Sequence, residues 1–549
     1  MNDALLLSVD VGTLSARAGL FDASGQLLGS STAAFPLHRP APQQAVYRMD
    51  EIWDAVTRAV RGALAAVPGA AGRVRALAFD ATSSLALTHT GDPPLTGGAD
   101  VFCWADHRGE AMAGEITATA LQTGDRLLAH MGGAISPEMH LPKLLWLKRR
   151  DPEAWARVIG ARDLCDELAR RATGSDGHSI CGLACKWAYL PHQGAGWSRG
   201  LLERLGLADL LGLGALSRPP LPVGAQHGLL SSAAAEQMGL PPGLPVAAGL
   251  IDAEAGTLGA LNGHFKGAMN NTLVLVGGTS TCLMAFARDE RQIPGVWGPF
   301  HGAVFPGLWL HEAGQSCTGA ALDGVLQHYP GGPGRAGPAE HAAAAAAIAG
   351  ALAGEGSAFA AGRHLVPDWL GNRSPLGNGG VRALHTGLGE ERGFADFLET
   401  YYATARAIVL QVRHIIEHLD EAGYAIRRVV LSGGHVRNPV LVRLYRDVLG
   451  NAAGRLLVLP GASEPVLLGT AMVAAVSAGL YPDLLAAVKG MGQASHDCPP
   501  DTAWAVAHET AYRIYRQLFA DRGALLDDMA ALAGQIPGQP AQHVSAPAP

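Results

Sequence analysis

The 549-residue sequence is poor in charge and has no long apolar run. Asp, Glu, Lys and Arg make up 16% of the residues and the formal net charge is −7, which excludes the basic surface that nucleic acids or anionic membranes attract. The apolar tract at 342–354 is shorter than the roughly 20 residues of a membrane-spanning helix. We therefore expect no nucleic-acid or membrane partner, and we interpret this tract as an alanine-rich surface helix.

Paired cysteines are also missing. The seven cysteines include no C-x-x-C motif, and the first residues lack the basic, apolar and small-residue segments of a secretion signal. These absences indicate reduced thiols and a cytoplasmic location. Cys181 and Cys185 can share one face of a helix, but no further Cys or His pair lies nearby in sequence, so a zinc site is not expected.

The most informative pattern that is present occurs twice. A run LLLSVDVGT at 5–13 recurs as TLVLVGGTST at 272–281. Each copy predicts a strand, a tight Gly-Thr turn and a second strand, with the N–H groups and hydroxyl of the turn free to hold an anionic oxygen. Aligning the copies places Asp10 opposite Val276, so only the first copy offers a metal-binding carboxylate. The repeat therefore predicts two similar halves that hold one phosphate chain at one active site.

The length exceeds what one hydrophobic core usually serves, and it predicts two large domains. The glycine-containing stretch 257–270 is interpreted as a loop-rich boundary, and the Pro-, Ala- and Gln-rich end of the chain as disordered. The predicted segments are an N-terminal domain over 1–262, a C-terminal domain over 268–490, a helical extension over 491–534 and a disordered tail over 535–549.

Two carboxylates follow predicted strands. Residues 5–35 are typical of a three-stranded meander, and a strand predicted over 74–79 delivers Asp80 at its C-terminal end, where α/β sheets place their chemistry. Asp252 follows a further strand-like run, at the start of a helix of small residues.

Helices are predicted at two places from apolar periodicity and capping residues. The first covers 51–66 with Asp50 as its cap, and the second covers about 395–422. The segment HEAGQSCTG at 311–319 is interpreted as a turn that leads into a helix beginning near Gly319.

Eight motifs follow one another in a fixed order: VDVGT, FDATSS, WADHR, GLIDAEAG, GGTST, EAGQSCTG, GNRSP and LSGGHVRNP. In this order the chain resembles the FGGY carbohydrate kinases, and most of all their D-ribulokinase branch among the pentulose kinases. The resemblance implies an α/β fold of two ribonuclease-H-like domains of the actin and hexokinase type, with the active site in the cleft between them. It also implies ATP and Mg²⁺ as cofactors and the phosphorylation of a small sugar, D-ribulose, to D-ribulose 5-phosphate.

The resemblance assigns roles to two carboxylates. Asp252 matches the catalytic aspartate of the family, which accepts the proton of the attacking sugar hydroxyl; the alternative is a helix N-cap. Asp10 is expected to hold Mg²⁺ through water, as suits that ion; the alternative is stabilisation of the turn.

The remaining site residues are also assigned by resemblance. For the sugar they are Ser83, Trp104, Lys186, Asp252 and Glu312, and for the nucleotide and its phosphates they are Thr13, Arg17, Gly278, Thr279, Gly319, Gly434 and Asn438. A local salt bridge or a solvated charge is the alternative for Lys186 and Glu312. For Asp106 and Arg108, pairing with each other as scaffold and a role in the site are both left open. Ala313 and Leu14 depart from the family pattern, and a methyl group at Ala313 is strained if that backbone needs positive φ.

Two other functions are consistent with the same motifs. One keeps the chemistry and changes the acceptor to L-ribulose, ribitol or another pentitol. The other is a sugar or nucleotide sensor, or an ATPase of the actin-like superfamily, although such a protein needs no base aimed at a hydroxyl. Assembly as a homodimer is left open.

Overall fold

A computed structural model describes residues 3–91, 98–194, 196–261, 269–390 and 392–534. The chain divides into two compact units: unit 1 contains residues 1–274, 284–312 and 460–495, and unit 2 contains residues 275–283, 313–459 and 496–549. The four predicted segments follow chain order and remain a prediction. The predicted disordered tail lies outside the described residues.

The strands are β1 Leu5–Val11, β2 Ser15–Asp22, β3 Leu27–Ala34, β4 Val46–Tyr47, β5 Val74–Ala81, β6 Leu85–His89, β7 Val101–Phe102, β8 Val158–Asp163, β9 Gln226–Leu229, β10 Pro245–Ala247, β11 Leu250–Ile251, β12 Thr272–Gly277, β13 Thr281–Ala287, β14 Trp297–His301, β15 Trp309–Gln315, β16 His364–Val366, β17 Leu384–Thr386, β18 Arg428–Gly433, β19 Leu456–Pro460 and β20 Ser495–Cys498.

The α-helices are α1 Met49–Ala66, α2 Glu110–Thr123, α3 His140–Arg150, α4 Pro152–Arg157, α5 Leu164–Thr173, α6 Ile180–Lys186, α7 Arg199–Arg204, α8 Ser232–Met238, α9 Asp252–Leu261, α10 Gly319–His328, α11 Pro338–Glu355, α12 Phe394–Glu421, α13 Pro439–Ala453, α14 Pro465–Ser477, α15 Leu484–Met491 and α16 Ala505–Gly534. None of the helices in the described ranges combines the length and the apolar character that crossing a bilayer demands.

Unit 1 is built on a seven-stranded sheet in the order β3-β2-β1-β5-β10-β9, with β11 paired to β5. The strands β1, β2 and β3 pair antiparallel, which confirms the predicted meander. The strand β5 pairs parallel with β1, so the C-terminal ends of these two strands reach the same edge of the sheet. Helix α1 packs its apolar face into the core of this unit.

Two glycines bring α14 against α9 within unit 1. A Cβ atom at Gly259 would lie 1.8 Å from the carbonyl oxygen of Pro465, and one at Gly469 would lie 1.9 Å from the carbonyl oxygen of Ala255. No side chain fits at either position, so the two helix backbones are in direct contact. This contact joins residues that are about 200 positions apart in sequence into one unit.

A second seven-stranded sheet has the order β14-β15-β13-β12-β18-β19-β20. In unit 2, β18 and β19 pair in parallel, and α12 is buried along most of its length. The helix predicted over about 395–422 is therefore confirmed. The tract at 342–354 lies in α11, which is helical as predicted.

Three local predictions are wrong. Asp50 lies in the first turn of α1 rather than at its cap, and it pairs with Arg171. Residues 257–261 belong to the end of α9 and are not loop, while residues 262–268 of the predicted boundary lie outside the described residues. Glu312 lies in β15, because residues 309–315 form a buried strand; its glycine and alanine conceal the alternation by which a strand is recognised.

Candidate active site

Two buried aspartates lie side by side at the edge of the sheet in unit 1. Asp10 of β1 is the register partner of Asp80 of β5, and both are buried. One oxygen of Asp80 accepts a hydrogen bond from the Thr470 hydroxyl; the other, Oδ1, has no hydrogen-bond partner among the described residues. Burial first, and the neighbouring Asp10 second, raise the pKa of Asp80 well above its usual value.

Arg17 is the counter-ion of Asp10. Its Nε donates to Asp10 Oδ2 at 2.7 Å, and its Nη1 donates to Glu464 Oε2 at 2.8 Å. Burial raises the pKa of Asp10, although the Arg17 guanidinium lowers it. The guanidinium predicted to face phosphates is therefore held between two carboxylates, about one third exposed.

The aspartate pair has the composition of a Mg²⁺ site. Hard carboxylate oxygens suit this ion, and Asp80 Oδ1 is a buried acceptor that no described residue satisfies. Arg17 balances one negative charge of the pair, so two ionised carboxylates buried side by side need a further cation or a proton.

Asp252 is the first residue of α9 and is half-buried. Its Oδ1 accepts a hydrogen bond from the N–H of Ala253 at 2.8 Å. Asp252 therefore also stabilises the start of α9, as the alternative of a helix N-cap implied. Burial first and the charge of Asp10 second raise the pKa of Asp252 to about 7. A carboxylate with this pKa can take up a proton near neutral pH, which is what a general base must do.

Lys186 and Glu312 form an ion pair with each other, which is the alternative to a role in sugar binding. Lys186 Nζ lies 3.3 Å from Glu312 Oε2, and both side chains are buried. The same ammonium lies 4.2 Å from the ring centre of Trp297, a residue that the sequence did not single out. The pair supplies one cationic donor and one acceptor, as a hydroxylated ligand needs.

Ser83 belongs to a buried polar network. Its Oγ donates to Asp163 Oδ2 at 2.6 Å, and Asp163 Oδ2 also lies 3.0 Å from His140 Nε2. Burial lowers the pKa of His140. Neither Asp163 nor His140 was predicted, because each lies more than 50 residues from Ser83 in sequence.

Trp104 is fixed by its backbone and by its ring. The indole Nε1 donates to Thr13 Oγ1 at 3.2 Å, and Lys143, whose pKa burial lowers to about 8, donates to the carbonyl oxygens of Cys103 and Trp104. Nearby, Arg108 donates to both oxygens of Asp106, which is the pairing that the scaffold alternative predicted.

The first Gly-Thr turn differs from the prediction in one respect. The N–H of Gly12 donates to the carbonyl oxygen of Ser15 at 3.0 Å, so this donor is used inside the turn. Tyr47 donates its hydroxyl to the Thr13 carbonyl oxygen at 3.0 Å. Leu14 is 59% exposed, and its departure from the family pattern disturbs no core contact.

The second Gly-Thr turn, in unit 2, is held by the start of α10. Gly278 donates to Ser280, so this N–H is also used within the turn. The N–H of Gly319 donates to the Gly278 carbonyl oxygen at 3.0 Å, and the N–H of Thr318 donates to the Thr279 carbonyl oxygen at 2.9 Å. A Cβ atom at Gly319 would lie 2.5 Å from the Gly278 oxygen, so close packing requires this glycine.

Gly434 and Asn438 lie between β18 and α13. Asn438 caps α13 through its Oδ1, and its Nδ2 donates to the Tyr401 hydroxyl at 2.9 Å. Gly434 starts a 3₁₀-helix over 434–437, while the preceding Gly433 has φ +82 and approaches Gly277 closely. The packing of this turn therefore accounts for Gly433 and Asn438 without any ligand.

Ala313, one of the two departures from the family pattern, is not strained. It lies in β15 and is not among the residues with positive φ.

Glu254 of α9 was not predicted as a site residue. It is buried, and both of its carboxylate oxygens lack hydrogen-bond partners among the described residues. Burial first and Glu312 second raise the pKa of Glu254 to about 8, and its ligand atoms lie within 4.8 Å of those of Cys181 and Cys185.

Comparison with known proteins identifies the family of the chain. Residues 5–259 match the N-terminal domain, and residues 273–478 the C-terminal domain, of the FGGY family of carbohydrate kinases. An FGGY carbohydrate kinase domain-containing protein of Danio rerio is 34% identical over 539 residues, covering 93% of this chain and 97% of its own length.

Two other similar proteins have more specific names. A D-ribulokinase of Saccharomyces cerevisiae is 31% identical over 498 residues, covering 81% of this chain and 68% of its own length. The structure of a xylulose kinase from Rhodospirillum rubrum has a TM-score of 0.76 at 22% identity, with 95% of this chain and 99% of that chain covered. Its likeness shows the two-domain sugar kinase fold of the actin and hexokinase type. The chain therefore belongs to the FGGY family of carbohydrate kinases and is an ATP-dependent sugar kinase.

Proposed function

We propose that this enzyme transfers the γ-phosphoryl group of MgATP to the 5-hydroxyl of D-ribulose. The observation that carries the proposal is Asp252, a half-buried carboxylate whose pKa of about 7 lets it act as a general base. The similarity to a protein named D-ribulokinase, over 81% of this chain, supports the choice of acceptor.

The proposed proton transfer is simple. The attacking hydroxyl gives its proton to a carboxylate oxygen of Asp252 as the hydroxyl oxygen bonds to phosphorus, and the bond from phosphorus to the leaving oxygen of ADP breaks. The burial of Asp252 first and the negative charge of Asp10 second hold the pKa of Asp252 high. This makes Asp252 a stronger base than an exposed aspartate.

We assign the sugar to a group of unit 1 side chains: Ser83, Trp104, Lys186, Asp252 and Glu312. Lys186 donates to an oxygen of the ketose, Glu312 accepts from a hydroxyl, and the indole of Trp104 offers an apolar face. Asp163 and His140 position Ser83 through the hydrogen bonds described above.

Asp10, assisted by Asp80, would hold Mg²⁺, which when bound neutralises charge on the phosphate oxygens. Thr13 and Arg17 of unit 1 are proposed to face the phosphates. Gly278, Thr279, Gly319, Gly434 and Asn438 of unit 2 are proposed to line the nucleotide site, Asn438 through backbone atoms because its amide group is engaged in unit 2.

A coupled assay of ADP formation across D-ribulose, L-ribulose, D-xylulose and ribitol tests the acceptor. We expect the highest kcat/KM for D-ribulose, with a product whose phosphate is identified at the 5-position by ³¹P NMR. A tenfold preference for another acceptor would overturn the choice of sugar but not the kinase activity. ATP hydrolysis that no sugar alters, and that Asp252→Asn leaves unchanged, would favour an ATPase or sensor.

A further inference from the structure

Three side chains in unit 1 that the kinase chemistry does not use lie close together. His130, His192 and Glu290 each offer one ligand atom, and these atoms lie within 4.8 Å of one another. His130 ends a 3₁₀-helix over 126–130, while His192 and Glu290 come from separate loops. We propose that these three residues form a binding site for one divalent transition-metal ion of the Zn²⁺ type.

His130 is prepared for ligation by its surroundings. The side chain is fully buried, and its Nδ1 lies 2.9 Å from the carbonyl oxygen of Pro299. Because a carbonyl only accepts, Nδ1 carries the proton and Nε2 carries the lone pair. Nε2 has no hydrogen-bond partner among the described residues. A histidine whose second nitrogen donates to a carbonyl is the usual arrangement around protein-bound metals.

Glu290 faces this lone pair. Its Oε1 lies 3.6 Å from His130 Nε2, and two ligands at about 2.1 Å from a tetrahedral ion are separated by about 3.4 Å. The same oxygen accepts from Gln292 Nε2 at 3.4 Å and lies 3.7 Å from Arg126 Nη2. The Arg126 side chain is 62% exposed, so it can swing into solvent when a cation takes its place.

His192 completes the set from a half-buried position. Its ring centre lies 4.9 Å from that of His130 and 4.8 Å from that of Trp309, so the indole forms one wall beside the cluster. Its Nδ1 has no described hydrogen-bond partner, and its Nε2 lies 3.1 Å from the Gln193 amide. Rotation of that amide presents an oxygen to Nε2 and leaves the Nδ1 lone pair for the ion.

The donor set of the cluster indicates which metal ion fits it. Two neutral imidazoles and one carboxylate are ligands that Zn²⁺ accepts, and imidazole suits Ni²⁺ and Cu²⁺ as well. Mg²⁺, which prefers oxygen ligands, is excluded by this donor set.

Titration of the full chain with Co²⁺, in excess Mg²⁺ and without a histidine tag, tests the site. We expect one Co²⁺ per chain with the visible absorption of imidazole ligation, displacement of Co²⁺ by one equivalent of Zn²⁺, and a higher Tm with Zn²⁺. His192→Ala and Glu290→Gln should each weaken binding at least tenfold. His328→Ala, at an exposed histidine of α10, should leave it unchanged.

Several outcomes would overturn the proposal. They are no absorption with Co²⁺, absorption that survives both His192→Ala and Glu290→Gln, or a thiolate-to-cobalt band, which would place the ion at Cys181 and Cys185. Because His130→Ala removes a buried side chain, we rely on the two more accessible ligands. Sugar-dependent ADP formation, measured in the same variants, separates loss of the metal from loss of the fold.

Discussion

The turn between β1 and β2 lies among carboxylates, whereas the turn between β12 and β13 lies among neutral groups. Asp10 precedes the first turn and adjoins Asp80, while Val276 holds the matching place before the second. The carbonyl oxygens of the second turn accept from backbone N–H groups at the start of α10 and from Thr318. The same backbone plan is therefore placed among acidic side chains in the first copy and among neutral hydrogen-bond donors in the second.

The histidine that contacts the second turn, His435, is also neutral. His435 Nε2 lies 3.2 Å from the Gly278 carbonyl oxygen, and burial lowers the pKa of His435 to about 4. It is uncharged at neutral pH. Repetition of a motif thus does not imply repetition of its chemistry, because the side chains around it decide which ligand it can hold.

The largest effect is expected at the base. Asp252→Asn keeps the size of the side chain but removes its ability to accept a proton, and we expect kcat to fall by about 10³-fold to 10⁴-fold. The KM for D-ribulose should stay within about tenfold. Steady-state kinetics check both values, and Asp54→Asn at an exposed position of α1 is the control. Turnover near that of the wild type would remove Asp252 from the mechanism.

The next largest effect concerns the carboxylate that distinguishes the two turns. Asp10→Asn removes the negative charge proposed to hold Mg²⁺, and kcat should fall about a hundredfold with a higher Mg²⁺ concentration for half-maximal rate. Val276→Thr, at the matching position of the second turn, is expected to change neither quantity. Equal effects of the two substitutions would contradict the comparison.

The pH profile sharpens the same comparison. Asp252 must be unprotonated to act, and its pKa of about 7 means that kcat/KM should fall about tenfold per pH unit below that value. Removal of the neighbouring negative charge favours the ionised form, so the acidic limb should move to lower pH in Asp10→Asn. A limb that stays in place would show that another group titrates.

A smaller effect is expected from the packing of the second turn. A methyl group at Gly319 meets the Gly278 carbonyl oxygen, and α10 must shift to admit it. Gly319→Ala should raise the KM for ATP about tenfold, a change of about 1.4 kcal/mol, with little change in the KM for the sugar. Gly324→Ala lies on the same helix with open space around it and serves as the matched control. Similar kinetics in both variants would separate α10 from nucleotide binding.

The smallest effect is expected at Leu14. Leu14→Ser gives the first turn the residue that the second turn has at Ser280. Because Leu14 is 59% exposed, the free energy of unfolding should change by less than about 0.5 kcal/mol. Urea denaturation measures this change. A larger loss would mean that Leu14 supports the turn more than its exposure indicates.

Much of the fold follows from local sequence patterns. The strands before both turns are short, almost continuous apolar runs, and the long helix α12 carries apolar periodicity. These patterns are sufficient to recognise them. The strand that contains Glu312 was missed because its small residues conceal the alternation. Asp50 was misplaced by two residues, because the N-cap is Arg48 and an acidic residue also suits the first turn of a helix.

The candidate site was predicted less completely than the fold. The family resemblance singled out Asp10, Lys186 and Asp252 as candidates, but it could not reveal which polar atoms are already used. The N–H of Gly12 is one example, because its partner depends on how the turn closes. Asp163 was missed because tertiary folding brings its partners Ser83 and His140 to it. Glu254 was missed because the burial of its carboxylate also depends on tertiary packing, which periodicity does not describe.

The glycine contact between α9 and α14 has a consequence for biosynthesis. Unit 1 includes residues 460–495, so α14 can pack against the first sheet only after the ribosome has translated the chain beyond residue 477. Until then the surface that α14 covers in the folded protein is exposed to solvent, and Asp80 lacks the hydrogen bond from the Thr470 hydroxyl. Nascent chains of this kinase are thus most vulnerable to chaperone capture and aggregation late in synthesis.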